Sequence, residues 1–309
     1  MFQTLGRLAT IAIIIALTTS ADADESRQAL VLSSDFGTTE RFVASMKGVA
    51  LSVDPDLQTH DLTHHIEPFN IWQASYMLAG TIDYWPKGTV FVSVVDPGVG
   101  TERRSVVVKT GTGHYVVTPD NGSLTLVADK QGILEIRQID EAINRRPGSE
   151  SSHTFHGRDV YAYTGARLAA AVIQFEEVGP LLEPNIVRLP YQQPKRLDND
   201  SVIGSITHIE MPFGNIVTNI PKSLVDALGL SPEDNSAVLV EISQAGRPVF
   251  QQRIPYARSF GHVDQGAPLL YSDSLQTIGL AVNSGNFARQ FKVQAGADWT
   301  IRLIKPTAH

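Results

Sequence analysis

The chain has 309 residues, 42% hydrophobic and 18% charged, with a formal net charge of -7. These proportions exclude a disordered or fibrous polymer and leave room for two globular domains of roughly 150 residues each, while the acidic balance speaks against nucleic acid, which calls for a basic footprint. The nearest approaches to a basic run are Arg103-Arg104 and Arg145-Arg146, and no cysteine is present, which removes disulfides, thiolate metal sites and a cysteine nucleophile.

The N-terminus has the pattern of a secretory signal. Arg7 supplies the positive charge, residues 8–17 form a short apolar run, and Ala21-Asp22-Ala23 fits a small-residue cleavage site. We expect residues 1–23 to be removed after Ala23 and the mature chain to be periplasmic or secreted; the alternative is an uncleaved anchor. No later segment approaches the roughly 20 apolar residues of a membrane span.

Residues 28–183 alternate strand-like and helix-like segments. The apolar run 29–33 ends at Asp35-Phe36-Gly37. Residues 42–53 and 71–84 have helical spacing. The β-branched run 89–95 suits a strand buried on both faces, with further strands at 105–109 and 114–118 and an Ala- and Leu-rich helix over 157–172. This alternation predicts an α/β domain with a central, largely parallel sheet. Residues 184–200, with three prolines at 184, 190 and 194, read as a linker. In residues 201–306 helical periodicity fades to 221–230, and short β segments follow at 202–209, 215–220, 237–242, 248–254, 277–282 and 299–304. A small, all-β, antiparallel barrel-like domain is expected there.

Two polar loops follow apolar strands directly: Ser34-Asp35-Phe36-Gly37-Thr38, and Asp96-Pro97-Gly98-Val99-Gly100-Thr101-Glu102-Arg103-Arg104. In open α/β sheets the carboxyl ends of strands face the ligand crevice, so Asp35 and Asp96 point into one; the plain alternative is that both cap turns. Neither loop has the lysine and spacing of a phosphate loop. His156 in Phe155-His156-Gly157-Arg158-Asp159 stands at a helix N-terminus, where the dipole favours a neutral imidazole that accepts a proton or orients water. The alternative is a structural histidine. His60, His64 and His65 lack zinc spacing, and no metal is expected.

These segments occur together and in a set order. With Asp61-Leu62-Thr63-His64, Pro119-Asp120-Asn121-Gly122, Phe213-Gly214-Asn215, Thr218-Asn219 and Ala281-Val282-Asn283, they make the chain resemble the S-adenosyl-L-methionine hydroxide adenosyltransferases, relatives of the fluorinases and chlorinases, over residues 28–306. The resemblance implies hydrolysis of S-adenosyl-L-methionine to adenosine and L-methionine. It implies a water-activating set at Asp96, Arg103 and His156, a ribose contact at Asp35, an aromatic wall at Phe69, and ligand contacts at Glu210, Asn215 and Ser274. It implies no cofactor, and a homotrimer with its sites between subunits. The halogenases place tyrosine where Asp96 stands and a halide-holding serine where Gly157 stands, so this chain is similar to the hydrolases. It departs from the pattern at Glu210, where relatives carry aspartate, at Asn70, and at Leu275, where halogenases have arginine. Two other readings remain at this point: an exported binding protein for an adenosyl sulfonium, and adenosyl transfer to another nucleophile.

Overall fold

In the computed structural model, which describes residues 27–234 and 236–306, the first sheet is built from strands too apolar to face water. β1 (Leu30–Ser34) and β3 (Val90–Val94) are buried at every position. They lie beside β2 (Thr59–Thr63), β4 (Ser105–Thr110), β5 (Tyr115–Pro119), β6 (Ile133–Gln138) and β7 (Leu181–Leu182), in the order β2-β1-β3-β5-β4-β6-β7. β2, β1, β3 and β5 are mutually parallel, whereas β4 runs antiparallel to β5 and β6, and β6 to β7. The sheet is therefore mixed, and the expected parallel order covers one half. The reason lies at 111–114, where a short turn joins β4 to β5; a turn of that length returns the chain antiparallel, while a parallel step needs a long crossover.

Period-two alternation divides the core between two faces. Leu30, Leu32, Val90, Val92, Val107 and Val117 pack on one side against Met46, Ala50, Val160 and Ala166. These come from α1 (Arg41–Val53), from a π-helical segment (Gly157–Ala162) and from its continuation α5 (Tyr163–Ala169). Val31, Phe91, Val106 and Val116 pack on the other side against Leu78, Ile82, Leu124 and Val127. α2 (Ile71–Thr81), a 3₁₀ turn (Ile82–Tyr84) and α3 (Thr125–Gln131) supply that layer, and α4 (Glu141–Asn144) follows β6. Each fully buried Val, Leu or Ile contributes about 1.5–3 kcal/mol, so the three layers hold without covalent staples.

Among the described residues the second half is β apart from two short α-helices and a 3₁₀ turn (Phe260–His262). β8 (Lys195–Arg196), β9 (Ser201–Glu210), β10 (Asn215–Pro221), β11 (Ala237–Gln244), β12 (Arg247–Pro255), β13 (Pro268–Ser272), β14 (Thr277–Val282) and β15 (Trp299–Ile304) form one antiparallel sheet. Its main path runs β12-β11-β15-β9-β10-β14-β13 and curls until Tyr256, just past β12, bridges Leu270 of β13. α6 (Lys222–Asp226) lies in the segment expected to be helical; α7 (Phe287–Phe291) is a helix where none was expected. Its Phe287 and Phe291 pack on each other and on Phe250 in the core of this half.

Residues 184–200 run along both halves. Val187 and Leu189 donate backbone N–H bonds to Asp120 and Thr125, and Gln192 N–H donates to Ser205 Oγ at 3.1 Å. α2 ties the halves directly: the Trp72 indole donates to the Thr207 carbonyl at 2.9 Å, and Tyr76 stacks on His208 with centroids 4.5 Å apart. The signal-like residues 1–23 lie outside the described residues. Among the described residues no helix is long and apolar enough to cross a membrane.

Candidate active site

Asp96 stands two residues beyond β3, at its carboxyl end, and Gly98 and Gly100 turn the chain back so that Arg103, just before β4, faces it. Gly100 has φ +77°, and a Cβ there would lie 2.7 Å from the His153 carbonyl. The guanidinium grips the carboxylate side-on, with Nε 2.8 Å from Oδ1 and Nη2 2.5 Å from Oδ2. The same Nη2 lies 2.9 Å from His156 Nδ1, which joins the three expected residues into one chain of contacts. Burial works against the charge on Arg103, and Asp96 outweighs it, so the guanidinium holds its proton more firmly than usual. Burial also pushes the His156 imidazole below its ordinary value; Glu141 pulls it back, and Arg103 and Arg145 push it further down.

Supporting groups came from outside the motifs. Arg103 Nη1 donates to Ser105 Oγ at 2.9 Å, Ser105 meets the Tyr161 hydroxyl at 3.2 Å, and Tyr161 donates to Asp96 Oδ2 at 3.3 Å. Tyr161 is fully buried, and burial, with the Asp96 charge, raises its phenol far above the usual range, so it remains a donor. Arg145 stands on the far side of His156, with Nη2 3.2 Å from Nε2, and is itself held by Glu141. Its pairing with Arg146 was visible in the sequence; its partner eleven residues on was not. The helix expected over 157–172 ends at Ala169 and begins as a π-helical turn at the site, a wider coil common at functional positions.

Asp35 and Phe69 face the same cleft of about 340 Å³ as Asp96 and His156, with Phe36, Phe42, Phe155 and Gly157 in its wall. Asp35 Oδ2 accepts the Phe69 backbone N–H at 2.9 Å. Phe69 has φ +67°, a strained conformation for a bulky residue, and the residue is 71% exposed. Below them, His64 Nε2–H donates to Asp61 at 3.1 Å and Nδ1 accepts from Ser34 at 2.7 Å. Phe36 N–H in turn donates to Ser34 Oγ, and the Gly37 N–H donates to the His64 carbonyl, which fixes the loop bearing Asp35. The Asp61–His64 motif is thus a brace under the loop. Among the described residues no group of three His, Asp or Glu is arranged to hold a metal ion.

The remaining expected residues lie elsewhere on this chain. Glu210 and Asn215 are cross-strand partners at the tip of the β9–β10 hairpin, with Asn215 Nδ2 3.0 Å from Glu210 Oε2. They line a cleft of about 660 Å³ with Phe213, Phe260, Val282 and Asn286. Ser274 lines a neighbouring cleft that shares Glu210 and Phe213 and is bounded by Tyr76 and Leu275. Neither of these clefts shares a lining residue with the Asp96 cleft.

A mixed α/β sheet with polar loops at its strand ends, followed by a curled antiparallel sheet, defines a two-domain protein with an α/β half and a β half. Family models identify it further. Residues 30–179 match the SAM hydroxide adenosyltransferase N-terminal domain and residues 204–300 the C-terminal domain, and the chain belongs to this family. It is 40% identical over 206 residues to the (R)-S-adenosyl-L-methionine hydrolase of Methanocaldococcus jannaschii, covering 65% of this chain and 70% of that protein. It is 27% identical over 303 residues to a fluorinase of Nocardia brasiliensis, covering 90% and 97%. The crystal structure of an uncharacterized conserved protein from Thermotoga maritima superposes with a TM-score of 0.79 at 35% identity, over 89% of this chain and all of that one.

Proposed function

We propose that this protein hydrolyses S-adenosyl-L-methionine, with water attacking the ribose 5′ carbon and releasing adenosine and L-methionine. The observation that carries the reading is the Asp96–Arg103–His156 network at the wall of the Asp35 cleft. Attack forms the carbon–oxygen bond as the carbon–sulfur bond breaks; the sulfonium leaves as a neutral thioether and the water loses one proton. Water is a poor nucleophile, with pKa about 15.7, so the site must stabilise charge that develops on oxygen. Arg103 supplies fixed positive charge, and Asp96, which lines the cleft, takes the proton. Asp35 holds the ribose hydroxyls and Phe69 covers the sugar. Glu210, Asn215 and Ser274 serve the adenine and methionine ends.

Halide transfer is disfavoured by packing at Gly157. A Cβ there would lie 3.0 Å from Phe36 Cε2 and 3.1 Å from Cζ, so a halide-holding side chain has no room unless Phe36 moves. The separation of the two residue sets supports a homotrimer in which the Asp96 cleft of one subunit meets the Glu210–Asn215 face of the next. The charged and apolar pattern of residues 7–23 supports an exported protein.

In oxygen-18 water, purified protein should release adenosine and methionine in equal amounts, with the label in the adenosine 5′ hydroxyl. Unlabelled adenosine, or release of 5′-methylthioadenosine, would show that a different bond is cut.

A further inference from the structure

We infer that Arg145 is a positioning residue for the hydrolysis proposed above: its fixed charge at the second ring nitrogen of His156 keeps the imidazole neutral beside Arg103, which leaves the water's proton to Asp96. The argument is one of donors and acceptors. A guanidinium has only N–H donors. Arg103 Nη2 has two hydrogens, one directed at Asp96 Oδ2 and one at His156 Nδ1, 2.9 Å away. Arg145 Nη2 likewise directs one at Glu141 and one at His156 Nε2, 3.2 Å away. A neutral ring has one N–H and one lone pair, so in either tautomer it accepts from one of the two guanidiniums and turns its N–H toward the other. An imidazolium keeps no lone pair: both of its N–H groups would point at donors, and a third cation would sit between two others.

Arg145 is placed for this by its own anchors. Its Nε donates to Glu141 at 3.2 Å and its Nη1 to the Ser152 carbonyl at 3.2 Å, and its side chain is 7% exposed. The charged and titratable groups around His156 are Arg103 and Asp96 from the loop between β3 and β4, Arg145 and Glu141 from α4 and its end, His153 from the preceding loop, and Tyr161 from its own helix. Two cations touch the ring directly, while the carboxylates are one residue removed, behind those cations.

The test uses full-length protein with Arg145→Gln and Arg145→Lys, His156 being followed by NMR titration with His156→Asn for assignment, alongside the pH profile of kcat/KM. In Arg145→Gln the His156 midpoint should rise by about one unit, the scale on which a neighbouring charge acts, and the acid limb of activity should move up with it. Arg145→Lys, which keeps the charge, should restore the parent titration. An unchanged midpoint in Arg145→Gln would overturn the inference, as would a raised midpoint with an unmoved acid limb. The NMR titration needs no turnover, so it stands even if the parent releases no adenosine, an outcome that would defeat the hydrolysis reading alone.

Discussion

Asp35 and Asp96 are both carboxylates beyond the ends of neighbouring parallel strands, and their partners separate their roles. Asp96 is bound to a guanidinium and a buried phenol, whereas Asp35 is bound to one backbone N–H and faces the open cleft. Asp96→Ala should therefore lose turnover by about 10²–10⁴-fold, the range typical for a general acid–base group, with substrate affinity within about tenfold of the parent. Asp35→Ala should do the reverse and weaken binding by more than about tenfold, with the smaller loss in kcat. Calorimetric titration together with initial rates separates the two; affinity lost in Asp96→Ala and kept in Asp35→Ala would reverse the assignment. Asp96, Arg103 and His156 were legible because each sits in a short motif. Tyr161, 65 residues from its partner Asp96, was not, because only folding brings the π-helical turn under the loop. Glu141 was missed for a similar reason: it reaches the site only through Arg145.

At the level of elements, the buried strands were the easiest to read, since Val90–Val94 is apolar but for Ser93 and Leu30–Ser34 opens on three apolar residues. β2 was missed because Thr-His-Asp-Leu-Thr is polar, and it forms only as the edge partner of β1. β6 and β13 were missed as well; β13 opens on a proline and follows a long turn-rich stretch. The helix over 157–172 was expected as regular and is π-helical for its first six residues, where the turn at His156 meets the site. The seam between α2 and β9 has a consequence for acid stability. Burial lowers His208 to about 4, and His64 and His156 are lowered in the same direction. An unfolded histidine titrates near 6.5, so between about pH 6.5 and 4 the unfolded chain binds protons that the native one refuses. Stability should be complete above that window and fall as the pH drops through it, by at most about 1.4 kcal/mol per pH unit for each such histidine. Urea denaturation at pH 7, 6 and 5 measures this, and His208→Gln should flatten the slope. An equally steep slope in that variant would assign the effect elsewhere.

For the whole molecule, the expected division into an α/β half and a β half is present, with the sheets spanning Leu30–Leu182 and Lys195–Ile304. If the clefts of neighbouring subunits complete one another, mixing inactive Asp96→Ala subunits with subunits inactivated at Glu210 and Asn215 should regain part of the parent rate, because some junctions unite two intact faces. No recovery after verified subunit exchange, or a fully active monomer in solution scattering, would refute the shared site. Such an assembly is head-to-tail, and a head-to-tail ring closes only if every subunit turns the path through the same angle. Within one chain the Trp72 indole on the Thr207 carbonyl and Tyr76 on His208 join the two halves, and in such a ring they would help to set that angle. In a closed ring that joint would act as its compass: set firmly, it would bring the last subunit back to the first, and loosened, it would let the same faces run on into open-ended chains.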